Sequence, residues 1–306
     1  MKTKTSVKNQ STSPAQEHYA TGFVASKDGT TIGYRQLGHG PGIVLVQGAM
    51  GSAHNFMQLA VLLADTFTVY VPDRRGRGLS PFPYSKDYSI QKDVEDLDAL
   101  LTKTGAHFVF GLSSGAIISL QAALTLPAIH KVAIFEPPLF INGVPSAMLL
   151  RLQKEIAQGK LAAALITGMK GAQMGPPIFN AMPHFLLAPL VNMVMKSEDK
   201  KGSGDYLPMR ELAPTLLYDF QIVTEMSGKL ESFRDVHTEV LLLGGSKSPA
   251  YLKVALDALE KVLPHVTRIE FPGLAHGAAW NYDKQRNAGG QPEPVAQALR
   301  QFFAEL

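Results

Sequence analysis

The residues best placed to do chemistry are five in a row, Gly111-Leu112-Ser113-Ser114-Gly115. Before them runs His107-Phe108-Val109-Phe110, apolar and of strand type; after them runs Ala116 to Leu124, helical in composition. A serine on so sharp a strand-to-helix turn sits in strained backbone. Its neighbours two residues to either side must therefore lack bulk, and Gly111 and Gly115 meet that need. The Ser113 hydroxyl then projects alone, as a nucleophile must. With 27 glycines in the chain the pentapeptide by itself is a weak signal, and a serine-glycine linker is the alternative; the flanking strand and helix give it weight. A serine hydroxyl is a poor nucleophile unless a base lies within ~2.6 to 3.2 Å, itself oriented by a carboxylate.

The elements that would position these groups read as strands alternating with helices. His18 to Ser26 and Thr31 to Leu37 flank Asp28-Gly29 as a hairpin. Gly42 to Val46 is an apolar run without alternation, the mark of a strand covered on both faces, so the sheet turns parallel there. The glycine-containing loop Gln47-Gly48-Ala49-Met50-Gly51-Ser52 follows, then a helix from about Asn55 to Leu63 and a strand from Phe67 to Val71. Asp73 stands at that strand's carboxyl end, where sites of parallel sheets gather. Arg74, Arg75 and Arg77 beside it suggest instead that it ties the loop together. Ser89 is expected to cap a helix with Val94, Leu97, Leu100 and Leu101 on one face. Lys131 to Phe135 is a strand ending at Glu136-Pro137-Pro138, and right-handed crossovers of this kind build an open, helix-covered sheet.

Alternation stops from Leu139 to Asp235, which is helical in pattern and carries eight of the eleven methionines. These either fill gaps in a core or form an adaptable apolar lid over a pocket. The strand Glu239 to Leu243 restores the pattern, Ser248-Pro249 reads as a helix cap, and Thr267 to Phe271 is the last strand. Pro294 is expected to open a terminal helix with Val295, Ala298, Leu299, Phe302, Phe303 and Leu306 on its buried stripe.

The 306 residues, 45% hydrophobic, suffice for a large buried core. A balance of 29 basic against 26 acidic residues gives no argument for nucleic acid or an anionic membrane surface. Without cysteine there is no disulfide, zinc-thiolate site or thiol nucleophile. Residues 1–17 read as a disordered, retained arm without a secretory signal, so the cytoplasm is the expected compartment. The run from Phe185 to Met195 is about eleven residues, short of the ~20 that span a membrane.

Elbow, glycine loop and a late histidine together resemble the α/β-hydrolase superfamily, across residues 18–306. The resemblance implies a mostly parallel sheet flanked by helices, with core segments 18–138 and 236–306 and a helical cap over 139–235. Nucleophile, acid, histidine is the order of that superfamily. Ser113 fits the nucleophile. Of nine histidines, His276 lies in the loop after the last strand between small residues. His107 opens the elbow strand at the wrong end, and His39, His130, His237 and His265 read as surface turns. His54 and His184 are the nearest alternatives, as pocket residues.

The acid departs from the common pattern. Most relatives carry aspartate after the strand matching Glu239 to Leu243, where this chain has Ser246, Lys247 and Ser248. Glu136 is the natural substitute: it ends the strand beside the elbow strand, ~4.8 Å away, and some relatives place their acid there. A structural ion pair is its other reading, and Asp257 and Glu260 are outsiders. Backbone N–H groups of Ala49 and Ser114 would form an oxyanion hole. Gln47 stands where relatives commonly have histidine. Gln47, Met50, His54, His184 and Trp280 are the expected pocket residues.

A serine at position 113 argues against relatives that need an aspartate nucleophile, such as dehalogenases and epoxide hydrolases. The resemblance thus implies a serine hydrolase of an ester or related acyl bond, acting on a small apolar molecule without cofactor or metal. A cofactor-free lyase or dioxygenase, or a catalytically silent ligand-binding relative, are the alternatives. Neither substrate identity nor oligomeric state is readable from the chain.

Overall fold

The computed structural model describes residues 19–85, 87–140, 146–175, 177–202 and 204–304. The expected N-terminal arm, 1–17, lies outside them, as do His18 and Leu306.

Eight strands form one sheet: β1 (Ala20–Ala25), β2 (Thr31–Gly38), β3 (Gly42–Val46), β4 (Thr68–Pro72), β5 (Phe108–Leu112), β6 (Lys131–Phe135), β7 (Glu239–Gly245) and β8 (Val266–Phe271). Their order is β1-β2-β4-β3-β5-β6-β7-β8. β1 and β2 pair antiparallel with each other, and β2 antiparallel with β4; every pairing from β4 to β8 is parallel. The parallel strands show why apolar runs need no alternation here. Val44, Val46, Val109, Val132, Ile134, Val240 and Leu242 face one buried layer. Their neighbours one residue along, Ile43, Leu45, Phe110, Ala133, Phe135 and Leu241, face the other.

Helices cover both faces. α1 (Met57–Leu63) precedes β4, α2 (Ile90–Thr104) precedes β5, and α3 (Ser114–Thr125) follows it. Between β6 and β7 come α4 (Ser146–Ala157), α5 (Leu161–Gly171), α6 (Pro177–Ala181), α7 (His184–Lys201), α8 (Met209–Leu212) and α9 (Leu216–Glu225). α10 (Ala250–Val262) joins β7 to β8, and α11 (Pro292–Ala304) ends the described chain. α2, α3 and α10 pack on the first layer, α1 and α11 on the second. The strands run parallel, but the order in which they are added reverses between β3 and β5: β4 lies on one side of β3 and β5 on the other, and the crevice at the carboxyl ends of such a switch point is the usual ligand position. Among the described residues no helix is long and apolar enough to cross a membrane.

Three local expectations need correction. Ser89 occupies the N-cap of α2 without a side-chain bond; the Glu225 carboxylate instead accepts the Ile90 N–H (3.0 Å), a negative group at a positive helix end. Ser248 does not cap α10. Pro249 holds that position and the Ser248 hydroxyl is buried without a partner among the described residues. α11 begins at Pro292, two residues before the expected Pro294.

Candidate active site

β5 delivers Ser113 to the sheet's carboxyl edge, and α3 starts at the next residue. Ser113 has φ 58° and ψ −125°, outside the regions open to most side chains. Its glycine neighbours are required by contact: a Cβ on Gly111 would stand 2.4 Å from the Gly115 carbonyl oxygen, and one on Gly115 would stand 2.2 Å from that of Val46. Ser113, Met50 and Glu136 all have positive φ. That three strained non-glycine residues belong to the elbow, the glycine loop and the β6 end marks this edge as specialised, since each such residue costs about 1–3 kcal/mol. Among the described residues the Ser113 hydroxyl has no hydrogen-bond partner, His276 included, so the expected contact between nucleophile and base is not closed in this structure.

Glu136 follows β6 and is wholly buried. Its Oε2 accepts a hydrogen bond from His276 Nδ1 at 2.7 Å, and its Oε1 accepts the Gly245 N–H at 2.6 Å. The β7 end thus contributes a backbone donor in place of an aspartate, and Gly244 leaves room, since a Cβ there would be 3.2 Å from Glu136 Oε1. An Nδ1–H held in this way leaves Nε2 as the basic nitrogen. The outsiders are engaged elsewhere, since Arg268 donates to Asp257 at 2.5 Å and to Glu260 at 2.8 Å.

The loop after β3 lies against the elbow: a Cβ on Gly48 would be 2.7 Å from Ser113 Cβ. Neither the Ala49 nor the Ser114 N–H has an acceptor among the described residues, and Ser114 opens a helix whose first amides point to its positive end. Ala49 and Met50 also pack against the apolar cluster built by α4, α5, α7 and α9.

Sequence reasoning missed what holds this loop. Arg77 Nη1 donates to the carbonyls of Gly48 (2.7 Å) and Gly51 (3.0 Å), and its Nη2 to Asp219 Oδ2 (2.6 Å). Arg74 Nη1 donates to Asp219 Oδ1 (2.7 Å), Ser114 Oγ (3.2 Å) and the Gln47 carbonyl (3.3 Å), and its Nε to Asp93 Oδ1 (3.0 Å). The Ser114 hydroxyl in turn donates to Asp219 Oδ1 (2.7 Å), and the Tyr88 hydroxyl closes on Asp93 Oδ2. Two guanidinium groups and two carboxylates thus balance in a buried interior. Burial alone would raise the Asp219 pKa, but Arg77 and Arg74 outweigh it and hold the group below the usual carboxylate range. Burial pulls the Arg77 pKa down despite Asp219. At Arg74 burial acts the same way, and Asp93 with Asp219 outweighs it, so that pKa rises. Removing one member would strand a buried charge, typically worth 3–5 kcal/mol.

Asp73 does tie the loop, though through other partners than expected. Its Oδ2 accepts from Arg35 (3.0 Å) and the Leu79 N–H (3.0 Å), and its Oδ1 from the Ala53 N–H (2.7 Å). The adjacent arginines turn away, Arg75 to Asp96 and Asp28. No charge pattern along the sequence foretold this, because the oppositely charged partners lie 19 to 145 residues away.

Of the expected pocket residues, Gln47 is wholly buried and its Nε2 donates to the Pro72 carbonyl (2.8 Å), so its amide braces the loop onto β4. Trp280 packs at the far end of the same loop, its Cζ2 3.0 Å from where a Gly51 Cβ would sit. The His54 ring meets Tyr206 edge-on at 4.5 Å, and burial lowers its pKa. His184 opens α7 among charges from Arg151, Glu155 and Lys170, with burial again lowering its pKa. The structure therefore groups Ser113, Glu136, His276, Ala49, Met50 and Ser114 at one sheet edge, makes Gln47 a brace, and sets His184 on α7. Among the described residues no cluster of His, Asp and Glu could hold a metal ion.

An alpha/beta hydrolase from Sphaerobacter thermophilus DSM 20745 has a similar structure, with a TM-score of 0.73 at 30% identity, covering 92% of this chain and 100% of that one. The 2-(acetamidomethylene)succinate hydrolase of Mesorhizobium japonicum is 25% identical over 254 residues, 80% of this chain and 85% of that protein. The uncharacterized hydrolase YraK of Bacillus subtilis (strain 168) is 36% identical over 117 residues, 37% of this chain, a match that spans 43% of YraK. Residues 43–298 match the alpha/beta hydrolase family. With its sheet order, its elbow and this match over most of its length, the chain belongs to the alpha/beta hydrolase family.

Proposed function

We propose that the protein is a serine hydrolase that cleaves an ester or related acyl bond of a small, largely apolar molecule, with residues 139–235 as its cap. The observation that carries this reading is the Glu136–His276 hydrogen bond of 2.7 Å, made by a wholly buried carboxylate, beside a serine held at positive φ. In this mechanism His276 Nε2 takes the hydroxyl proton as Ser113 Oγ attacks the substrate carbonyl carbon. The Ala49 and Ser114 N–H groups receive the developing oxyanion. Collapse of the tetrahedral adduct expels the leaving group, which takes its proton from His276, and leaves an acyl ester on Ser113. Water then repeats the sequence: its proton goes to His276, its oxygen to the acyl carbon, and Ser113 departs with the proton returned. Glu136 keeps Nδ1–H in place and stabilises the imidazolium; in serine enzymes the contact between base and nucleophile tightens when substrate fills the site.

The relative from Mesorhizobium japonicum is a hydrolase of an acetamido compound, which keeps acyl bonds other than esters within the proposed substrate class. The test is labelling by a fluorophosphonate together with turnover of p-nitrophenyl esters. Wild-type protein is expected to be labelled at Ser113 and to hydrolyse them, and Ser113→Ala to lose both with an unchanged melting temperature. Equal turnover in the alanine variant would overturn the nucleophile assignment. Oxygen uptake, or substrate cleavage without water incorporation, would point to the cofactor-free alternatives, and binding without labelling to a silent relative.

A further inference from the structure

We infer that Asp219 and Arg77, which touch neither substrate nor the reacting atoms, are positioning residues that set the direction of both oxyanion-hole donors; this rests on the serine-hydrolase reading above. The argument starts from the peptide joining Gly48 to Ala49. Among the described residues every peptide bond is trans, so in this planar unit the C=O and N–H point in opposite directions. Arg77 Nη1 holds the Gly48 oxygen at 2.7 Å and the Gly51 oxygen at 3.0 Å. With the carbonyl anchored on the guanidinium, the Ala49 N–H must point to the opposite side. Gly48 itself lies against Ser113, where a Cβ would be 2.7 Å from the serine's own Cβ. A peptide in so glycine-rich a stretch could rotate, and would then present a carbonyl oxygen where the oxyanion needs a donor. Arg77 opposes that rotation, and its charge polarises the Gly48 carbonyl and with it the N–H across the peptide.

Arg77 is wholly buried, and a guanidinium in such a place needs a counter-charge. Asp219 supplies it at 2.6 Å, from a helix that arrives 142 residues later. Through its other oxygen, Asp219 accepts the Ser114 hydroxyl at 2.7 Å. It thereby holds the residue whose N–H is the second donor and the first turn of α3. One carboxylate thus grips both halves of the hole, and Arg74 adds a third hold on the loop at the Gln47 carbonyl (3.3 Å).

The experiment compares wild type, Asp219→Asn and Arg77→Lys with one p-nitrophenyl ester and with a trifluoromethyl ketone whose hemiketal oxygen occupies the hole. Both variants are expected to lose about 10- to 100-fold in kcat, less than the ~10²–10³ for outright removal of a donor. KM should stay within about threefold, and ketone affinity should fall in parallel with kcat, the signature of an interaction made only in the transition state. A purely structural role would lower the melting temperature and leave both quantities alone in the folded fraction. Arg77→Lys keeps the charge opposite Asp219 while its single ammonium cannot span two carbonyls and a carboxylate. It therefore tests the idea even where Asp219→Asn does not fold. Unchanged kcat and ketone affinity in folded Arg77→Lys would overturn the inference, with fluorophosphonate labelling of wild-type Ser113 showing that the hydrolase reading survives. Absence of that wild-type labelling would overturn both.

Discussion

α7 and α9 come from the same stretch between β6 and β7, yet they relate to the sheet in opposite ways. α9 buries apolar side chains on two sides. Leu216, Leu217 and Phe220 face the cluster shared with α4, α5 and α7, while Tyr218, Ile222 and Val223 join the layer packed on the sheet. Polar bonds add to this: the Tyr218 hydroxyl donates to the Phe82 carbonyl (3.0 Å), Glu225 accepts at the start of α2 (3.0 Å), and Asp219 enters the arginine network. α7 buries Leu187 and Met195 but leaves Phe185 73%, Leu190 52% and Met193 66% exposed. α9 thus packs on the sheet layer as well as on the rest of its segment, whereas α7 is buried only against that segment.

The methionines divide along the same line. Met226 and Met195 are packed core, Met148 and Met209 are partly buried against the α4–α9 cluster, and Met193 and Met169 stand exposed. Neither gap-filling nor pocket lining describes them all.

If catalysis resides in the body and α7 serves only access, the largest effect should come from Glu136. Glu136→Gln keeps the shape but leaves the imidazole tautomer and its developing charge unsupported, so kcat should fall by ~10⁴ with KM little changed. Any single change on the outer face of α7 should spare kcat. A Glu136→Gln enzyme with full turnover and only lowered stability would return Glu136 to a structural ion pair.

Stability offers the next contrast. Ile222 is fully enclosed between α9 and the sheet layer, and Ile222→Ala should destabilise by about 2–5 kcal/mol. Met193→Ala, on the exposed face of α7, should stay within about 0.5 kcal/mol. Equal losses in urea unfolding would show that α7 is as deeply integrated as α9.

The last contrast is in how wild type and Asp219→Asn respond to acid. Because the Asp219 pKa lies below that of an unfolded aspartate, its contribution is present above the unfolded value and lost as pH falls through the folded one. Asp219→Asn should therefore lower the melting temperature at neutral pH and show a shallower decline below about pH 4 than wild type. Parallel acid limbs in the two proteins would mean that Asp219 carries no proton-linked stability.

Much of this molecule was legible in order along the chain. Apolar runs without alternation announced strands covered on two faces, because burial on both sides removes any need for period two. The elbow was readable because strain at Ser113 is a local demand, met by Gly111 and Gly115 within five residues. Glu136 was reachable because neighbouring parallel strands end together, so a residue at one strand's end is near the next strand's turn. The network around Asp219 was not. An arginine pattern such as Arg74, Arg75 and Arg77 says that counter-charges exist, but a buried guanidinium takes whichever carboxylate packing delivers. Here that choice depended on how α9 settles against α2 and α3. Ser248 failed as a cap for a related reason: local propensity proposes a bond worth about 1 kcal/mol, and the packing of the β7–α10 turn decides whether the hydroxyl can reach it. Sequence alone determined what each segment prefers locally. Tertiary structure decided which distant charges share the interior, because there an unpaired charge costs more than any local preference can offset.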